Sequence, residues 1–477
     1  MCGISGIISY SNKSIINDLL QSIYYIQHRG QDSYGITTIN KNNNLCVIKN
    51  QGLIDTAAIV SGRYDKYCNN SSVGVGHVRY PTTGSKCLDS IQPFNKNNYP
   101  GDTLIMAHNG QIKIKENYMN YIKGENIDLE AKSDSGLLLN ILSFKFANYA
   151  KITAIVIKKV LSEISEMLEG AYSIILYIIG FGMIAVRDKY GIKPLIVGYK
   201  DGTYLVSSES ISLKSLNYDI LCDVNPGEAI IFNNDLLEKN FEIERTYYMD
   251  NPILRPCIFE WIYIANVTSV MDGVSVYDAR LNMGRKLSKT ISDYFLGNHL
   301  DLKMIDYVVP VPETSKPATI MVAEKLGIKY REVIIKNRYV NRTFIMDNQE
   351  KRKQTLEHKF MIIEHMVKGK NILLIDDSIV RGNTLKYLVN ALIENGANSI
   401  IVGSCSPEIK YINRYGIDIQ DPELLVANNR TPREIAKYLG ADHIIYQTID
   451  DLTSSITDIN PKITDFELSV FNNVNKI

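Results

Sequence analysis

The sequence predicts an α+β unit built on antiparallel strands, followed by an α/β unit built on a parallel sheet. Two observations carry this. Before about residue 250, short β-branched runs are separated by Gly and Asn turns and interrupted by helical patterns. After about Pro256 the rhythm becomes strand, loop, helix, which places helices on both faces of a parallel sheet. The 477 residues favour two or three domains over one. The expected division is a first domain over 2–250, a second over 251–450 and a C-terminal tail over 451–477.

In the first unit the expected strands are Gly3–Ser9, Leu45–Lys49, Val73–Val78, Leu104–His108, Ser173–Ile179 and Met183–Arg187. Helical spacing of apolar residues covers Ile15–Gln27 and Ala154–Glu169. The most apolar stretch, Tyr172 to Val186, is too short to cross a bilayer and is broken by Gly180-Phe181-Gly182, so it reads as two buried strands around a turn. Glu228 to Arg255 reads as edge strands and a connector ended by Pro252 and Pro256. In the second unit the expected helices are Tyr277–Tyr294, Pro317–Leu326 and Thr384–Asn395, and the buried strands are Ile305–Val311, Asn371–Ile375 and Ile400–Cys405.

Charge and cysteine usage narrow the function classes. Lys+Arg and Asp+Glu both total 52, so no global field favours nucleic acid or an anionic membrane, and any anion site is local. The seven cysteines are odd in number and form no CxxC pair, which argues for a reducing compartment and against a disulfide framework. No basic, apolar leader is visible, and the expected location is cytoplasmic.

The candidate chemistry begins at Cys2. Removal of Met1 would leave a thiol and a free α-amine on one residue, and that amine has a pKa of about 8, suited to taking the thiol proton. A buried structural cysteine is the alternative. Arg79, after an apolar run in His77-Val78-Arg79-Tyr80-Pro81-Thr82, could fork onto a carboxylate. Asn109 and Gly110 could donate side by side to an oxyanion, or form a type I′ hairpin turn. Asp134, in Lys132-Ser133-Asp134-Ser135, could meet an ammonium group or cap a helix. Together these groups suit attack on the side-chain amide of glutamine.

Cys2-Gly3-Ile4, His28-Arg29-Gly30-Gln31-Asp32, the segment around Arg79 and His108-Asn109-Gly110 resemble the class II glutamine amidotransferase domain. The resemblance implies an N-terminal-nucleophile sandwich of layers α/β/β/α. It implies Cys2 as nucleophile with its own amine as base, Arg79 and Asp134 on the two ends of glutamine, and Asn109 with Gly110 as oxyanion donors. Ser207-Ser208-Glu209-Ser210 is a further landmark, as is Arg187 to Leu195, which departs from the usual pattern at Lys189, Tyr190 and Lys193.

In the second unit, Ile372-Leu373-Leu374-Ile375-Asp376-Asp377-Ser378-Ile379-Val380-Arg381-Gly382-Asn383-Thr384 joins a buried strand to two acids and a phosphate-sized loop at a helix start. It resembles the type I phosphoribosyltransferase signature for 5-phosphoribosyl-1-pyrophosphate (PRPP). This implies Asp376 and Asp377 toward the ribose hydroxyls and Mg²⁺, and Ser378, Arg381, Gly382, Asn383 and Thr384 around the 5-phosphate. Pro312-Glu313-Thr314-Ser315 resembles the pyrophosphate loop, with Thr314 near the metal. Lys336 to Ile345 resembles a closing lid, with Asn341 in place of a usual glycine and a divergent stretch from Asp347 to Phe360.

The order of the halves resembles the amidophosphoribosyltransferase family over all but roughly the last thirty residues. The resemblance implies glutamine and PRPP as substrates, 5-phosphoribosylamine, glutamate and pyrophosphate as products, purine nucleotides as feedback inhibitors, and a homo-oligomer. Cys257 stands at one iron–sulfur ligand position, but Asn413 stands at another and no cysteine follows Cys405. The expected branch therefore has neither cluster nor propeptide. Two other readings stay open: another class II amidotransferase, or a non-catalytic PRPP- and purine-responsive regulator.

Overall fold

The structure, a computed structural model, describes residues 2–474 except 12, 41, 65–67, 69, 81–87, 98–102, 126, 128–130, 132, 234–241, 338–358, 418 and 420. Cys87, the Thr/Gly loop after Tyr80, Lys132, the lid from Arg338 through residue 358, and Asp418 therefore lie outside the described residues.

The first unit stacks two antiparallel sheets. One has seven strands in the order Asp219–Asp223, Ile196–Lys200, Thr203–Ser207, Gly3–Ser9, Ser71–Arg79, Ser33–Asn40 and Leu45–Gln51. The other has six, in the order Glu244–Tyr247, Glu228–Asn233, Gly182–Arg187, Leu168–Ile178, Thr103–Ile114 and Phe94–Asn97. Alternation decides which residues face where. Ile4, Val75, Ile105, Ile175, Ala185 and Val206 meet between the sheets. Leu19 and Ile23 of helix Ile16–Tyr25 cover the outer face of the first sheet. Helices Asp134–Ala147 and Ala154–Met167 cover the second sheet through residues such as Leu138, Leu142 and Val160. The four layers are α/β/β/α, as the resemblance to the class II glutamine amidotransferase domain implies. Gly180-Phe181-Gly182 turns between two buried strands as expected, with the Phe181 N–H donating to the Ile178 carbonyl at 3.0 Å.

The second unit holds five parallel strands in the order Lys329–Tyr330, Tyr307–Pro310, Asn371–Asp376, Ser399–Ser404 and His443–Tyr446. Leu373 and Ile375 point to the face covered by helix Val276–Gly297. Ile372 and Leu374 point to the face covered by helices Asn383–Glu394 and Pro432–Leu439. Strand order reverses between Tyr307–Pro310 and Asn371–Asp376. The loops leaving these two strands open a crevice at their carboxyl ends, where ligands bind in such sheets.

One apolar core runs across the junction, from Ile7, Leu19 and Ile23 through Trp261 and Met283 to Phe466 and Phe471. Phe259 stacks on Phe471 with ring centroids 5.8 Å apart. An ion pair also crosses the junction. Arg187 reaches both oxygens of Asp272 at 2.7 and 2.9 Å, and the Asp272 N–H donates to Asp223 at 3.2 Å.

Two cysteines depart from the expectation of free thiols throughout. Cys46, on the edge strand Leu45–Gln51, and Cys68 form a disulfide across a sequence separation of 22. Cysteine spacing held no signal for it, because tertiary packing alone brings Cys68 beneath the edge strand. Cys2, Cys222, Cys257 and Cys405 are free.

Burial, with the negative charge of Asp272 beside it, pushes Asp223 up to about 7. A raised carboxylate pKa contributes stability below its unfolded pKa, and that contribution is lost as pH rises through 7. Asn at this position accepts the same Asp272 N–H without charge. Asp223→Asn is expected to raise Tm by about 2 °C at pH 8 relative to wild type, and by less at pH 5, in calorimetric scans.

Candidate active sites and family

Cys2 immediately precedes the central strand Gly3–Ser9, which pairs with neighbours on both sides. Its backbone nitrogen donates to Asn109 Oδ1 at 3.3 Å, and its Sγ lies 3.9 Å from the Tyr80 carbonyl. Asn109 Nδ2 is buried without a hydrogen-bond partner. Thus the amide oxygen of Asn109 accepts from the Cys2 N–H while its NH₂ group is buried and unpaired.

Asn109 and Gly110 do not form a hairpin turn. The strand runs from Thr103 to Ile114, and the pair sits within it, opposite Ser173 and Tyr172. A Cβ on Gly110 would stand 2.0 Å from the Ala171 carbonyl oxygen, so only glycine permits this approach. Asp134 is not the cap of its helix either, because Ser133 is, accepting from the Gly136 N–H. Asp134 instead accepts from the Ile112 N–H at 3.1 Å and from the Ser135 N–H at 2.7 Å, which ties it to the strand bearing Asn109.

Arg79 closes the strand Ser71–Arg79 and is buried. Its Nη1 donates to Ser90 at 2.8 Å and lies 3.7 Å from Asp32. Asp32 belongs to the motif after His28, and Ser90 had no place in the sequence reading. The neighbouring His77 is buried with neither ring nitrogen hydrogen-bonded. Burial and the Arg79 charge push it down to about 3, so it is a neutral ring.

Arg29 was legible only as part of a polar motif. It is fully buried, and its Nε donates to the Cys2 carbonyl at 3.0 Å. Its Nη1 meets Glu209 at 2.6 Å and Glu260 at 2.8 Å, and its Nη2 meets Glu260 at 2.7 Å. Glu209 also accepts from His28, the Asn266 N–H and Ser269, each at 2.8 Å. His28 and Arg29 hold the Glu209 carboxyl far below the usual carboxylate range despite its burial. Adjacent charges in motif positions were the available signal, but nothing local linked them to Glu260.

In the second unit, Asp376 ends its strand and Asp377 begins the loop. The Asp377 N–H donates to Asp376 Oδ1 at 2.9 Å, and Ser378 donates to Asp377 at 2.7 Å. Loss of solvent at the strand end and the adjacent Asp377 charge push Asp376 well above the usual carboxylate range. Gly382 adopts φ +74°, a left-handed conformation suited to glycine, and it starts the helix Asn383–Glu394. The loop from Ser378 to Thr384 thus leads into a helix N-terminus. Thr314 lies on the turn after strand Tyr307–Pro310, the neighbour of the strand that ends in Asp376. Lys336 stands apart on a two-stranded ribbon, Ile334–Lys336 with Phe360–Ile362.

Relatives of known identity settle the family. A profile of the glutamine amidotransferase domain matches residues 82–215. The amidophosphoribosyltransferase of Escherichia coli K12 is 39% identical, over 99% of this chain and 92% of its own length. This chain belongs to the amidophosphoribosyltransferase family. The Saccharomyces cerevisiae member is 37% identical over 99% of this chain and 91% of its own length. The fold matches glutamine PRPP amidotransferase of B. subtilis, solved with ADP and GMP, at TM-score 0.84 and 28% identity, covering 100% of this chain and 97% of that one. These alignments include the last thirty residues, which the motifs did not reach. The chain is therefore an enzyme of glutamine-dependent PRPP amidotransfer, the first step of purine synthesis, and the readings as another amidotransferase or as a non-catalytic regulator fall away.

The motif resemblance implies Asn109 as an oxyanion donor, and loss of one such donor costs about 10²–10³ in kcat. Asn109→Ala is expected to lower glutamine-dependent turnover by that factor while leaving ammonia-dependent synthesis within twofold, in parallel assays with glutamine and with ammonium as nitrogen donor.

Proposed function

We propose that Cys2 and the Asp376–Asp377 loop divide the reaction between them. The observation that carries the first half is the split use of Asn109, whose Oδ1 accepts from the Cys2 nitrogen while its Nδ2 stays unpaired in a buried site. The Cys2 amine takes the thiol proton, and the thiolate attacks the glutamine side-chain carbonyl. Asn109 Nδ2 and the Gly110 N–H stabilise the oxyanion. Arg79 holds the α-carboxylate and Asp134 the ammonium group of glutamine. The Cys2 ammonium returns that proton to the leaving nitrogen as the tetrahedral adduct collapses, releasing ammonia and leaving a thioester; water, deprotonated by the same amine, then cleaves the thioester to glutamate, and the amine's proton goes to the departing thiolate. Ammonia passes inside the protein to C1 of PRPP and displaces pyrophosphate with inversion. An enclosed path matters because bulk water would protonate ammonia.

Asp376 and Asp377 face the ribose hydroxyls. Ser378, Arg381, Gly382, Asn383 and Thr384 wrap the 5-phosphate, where loop N–H groups and the helix N-terminus suit an anion. Lys336 lies at the base of the lid segment and supplies a cation toward pyrophosphate.

The two acids also fit Mg²⁺. Their crowding raises Asp376 well above the usual carboxylate range, and a divalent cation beside them offsets that repulsion. Asp376, Asp377 and Thr314 would hold it, and when bound it supplies charge neutralisation for the departing pyrophosphate. We assign no iron–sulfur cluster. Cys257 bridges to Glu467, and Asn413 donates its amide to the same Glu467 at 3.2 Å, so both positions carry protein contacts of their own.

The ADP and GMP held by the B. subtilis relative support purine nucleotides as feedback inhibitors. A homo-oligomer and a cytoplasmic location complete the reading. Among the described residues no helix is long and apolar enough to cross a membrane, which supports the latter.

Cys2→Ala is expected to abolish glutamine use and retain ammonia-dependent synthesis of 5-phosphoribosylamine within about threefold. Asp377→Asn is expected to lower both activities at least tenfold, because both nitrogen sources share the PRPP site. Pyrophosphate release, measured with each donor, checks the pair. Loss of ammonia-dependent synthesis in a folded Cys2→Ala protein would contradict this division.

A further inference from the structure

Gly110 has no side chain to hold it, so the direction of its N–H is set by whatever packs against its backbone. Part of that packing comes from the other half of the enzyme. A Cβ placed on Gly416 would stand 3.1 Å from both the carbonyl carbon and the carbonyl oxygen of Gly110, and 3.5 Å from its Cα. Two glycines about three hundred residues apart in sequence thus lie backbone against backbone. The Ala171 carbonyl crowds Gly110 as well, because its oxygen is 2.0 Å from the place a Gly110 Cβ would take. Gly110 therefore has little room to shift.

The loop that carries Gly416 is firmly built. Gly416 adopts φ +94°, a conformation that glycine takes without steric cost. Asn413 shapes the turn. Its Oδ1 accepts from the Tyr415 N–H at 2.9 Å and from the Ile417 N–H at 3.0 Å, one on either side of Gly416. Its own N–H donates to the Ile419 carbonyl at 2.7 Å. Its Nδ2 donates to Glu467 Oε2 at 3.2 Å.

Glu467 is anchored in turn. Its N–H donates to the Pro256 carbonyl at 3.1 Å, and its Oε1 accepts from the Ser469 N–H at 2.8 Å. Asn413, Tyr415 and Glu467 are all buried, and the Tyr415 ring belongs to the junction core that also holds Ala171. A buried amide must spend its hydrogen bonds inside the protein. Asn413 spends them on fixing a glycine turn against Gly110.

We propose that the loop Asn413–Ile417 is a wall of the oxyanion site, with Gly416 as a positioning residue that fixes the Gly110 backbone and Asn413 as the positioning residue that sets the wall. The inference rests on the Gly110 N–H being an oxyanion donor. Such a donor works because it is already aimed when charge develops. A misplacement of about 1 Å can cost about 10²-fold in rate. A methyl group at position 416 would meet main-chain atoms, which cannot rotate away as a flexible side chain does. Gly110 then has to move, and its N–H moves with it. The second unit thus gives glutamine hydrolysis a fixed surface, whether or not its own substrate is bound.

The test compares the full-length wild type with Gly416→Ala. Glutaminase kcat and KM are measured with and without saturating Mg-PRPP, alongside ammonia-dependent synthesis and inhibition by L-glutamate γ-semialdehyde. The aldehyde reports on the oxyanion directly. The Cys2 thiolate adds to its carbonyl carbon, and the carbonyl oxygen takes the charge as it does in the glutamine adduct. Gly416→Ala is expected to lower kcat on glutamine at least tenfold, by the same factor with and without Mg-PRPP, and to raise Ki for the aldehyde at least tenfold. KM for glutamine is expected within threefold of wild type and ammonia-dependent synthesis within twofold. A merely structural role would raise KM or lower ammonia-dependent synthesis along with kcat. Should Gly416→Ala lose ammonia-dependent synthesis through misfolding, Asn413→Ala decides instead, with an expected fall in kcat of at least fivefold and KM within threefold. An unchanged kcat in the deciding variant, a fall in kcat without a rise in aldehyde Ki, or a fall confined to one PRPP condition overturns the wall. A wild type that binds the aldehyde no more tightly than glutamine is a separate failure, which removes the oxyanion reading and the wall with it.

Discussion

A guanidinium sealed from water must have its charge answered inside the protein, and Arg29 finds its answer in Glu209 and Glu260. Removing one partner of such a group leaves an uncompensated buried charge, which costs about 3–5 kcal/mol. The requirement fixes more than one residue. Glu209 follows the strand Thr203–Ser207, Arg29 follows the first helix, and Glu260 begins the connection into the second unit. Three elements far apart in sequence are thereby held at one point, and the carbonyl of Cys2 is the fourth group at that point. The geometry of Cys2 follows from this cluster as much as from the strand that follows it.

Around that cluster, the two halves of the enzyme share an interior. A core of Ile, Leu, Met and aromatic side chains continues from the first helix into helix Val276–Gly297. Separable domains usually meet through modest, more polar interfaces. Here the junction combines apolar packing with the Arg187–Asp272 fork.

The legible part of the sequence was what local patterning dictates. Ile372 to Ile375 read as a buried strand because β-branched and Leu residues run without a polar break, and the Asp376-Asp377 pair marked its carboxyl end. Cys2, Arg79 and Asp134 were readable as chemical types. What was not legible depended on distant partners. Asn109-Gly110 is as good a hairpin signal as any, and only the strand Leu168–Ile178 pairing alongside keeps it extended. The Cys46–Cys68 link and the Arg29–Glu260 fork join positions 22 and 231 residues apart. No short-range pattern encodes such pairings, since they arise from packing of whole layers. Ser90, which steadies Arg79, sits in a short turn with no signature of its own.

The closing segment of the chain bears on how this enzyme is made in the cell. Phe466, Val470 and Phe471 fill the junction core, and Glu467 bridges to Cys257 about two hundred residues earlier. Domains usually fold in order as they leave the ribosome. Here the floor beneath Cys257 and Phe259 follows them by about two hundred residues, so the first unit and the start of the second emerge before the side chains that cover the seam between them. That seam is closed only once the helix Ser469–Asn472 docks.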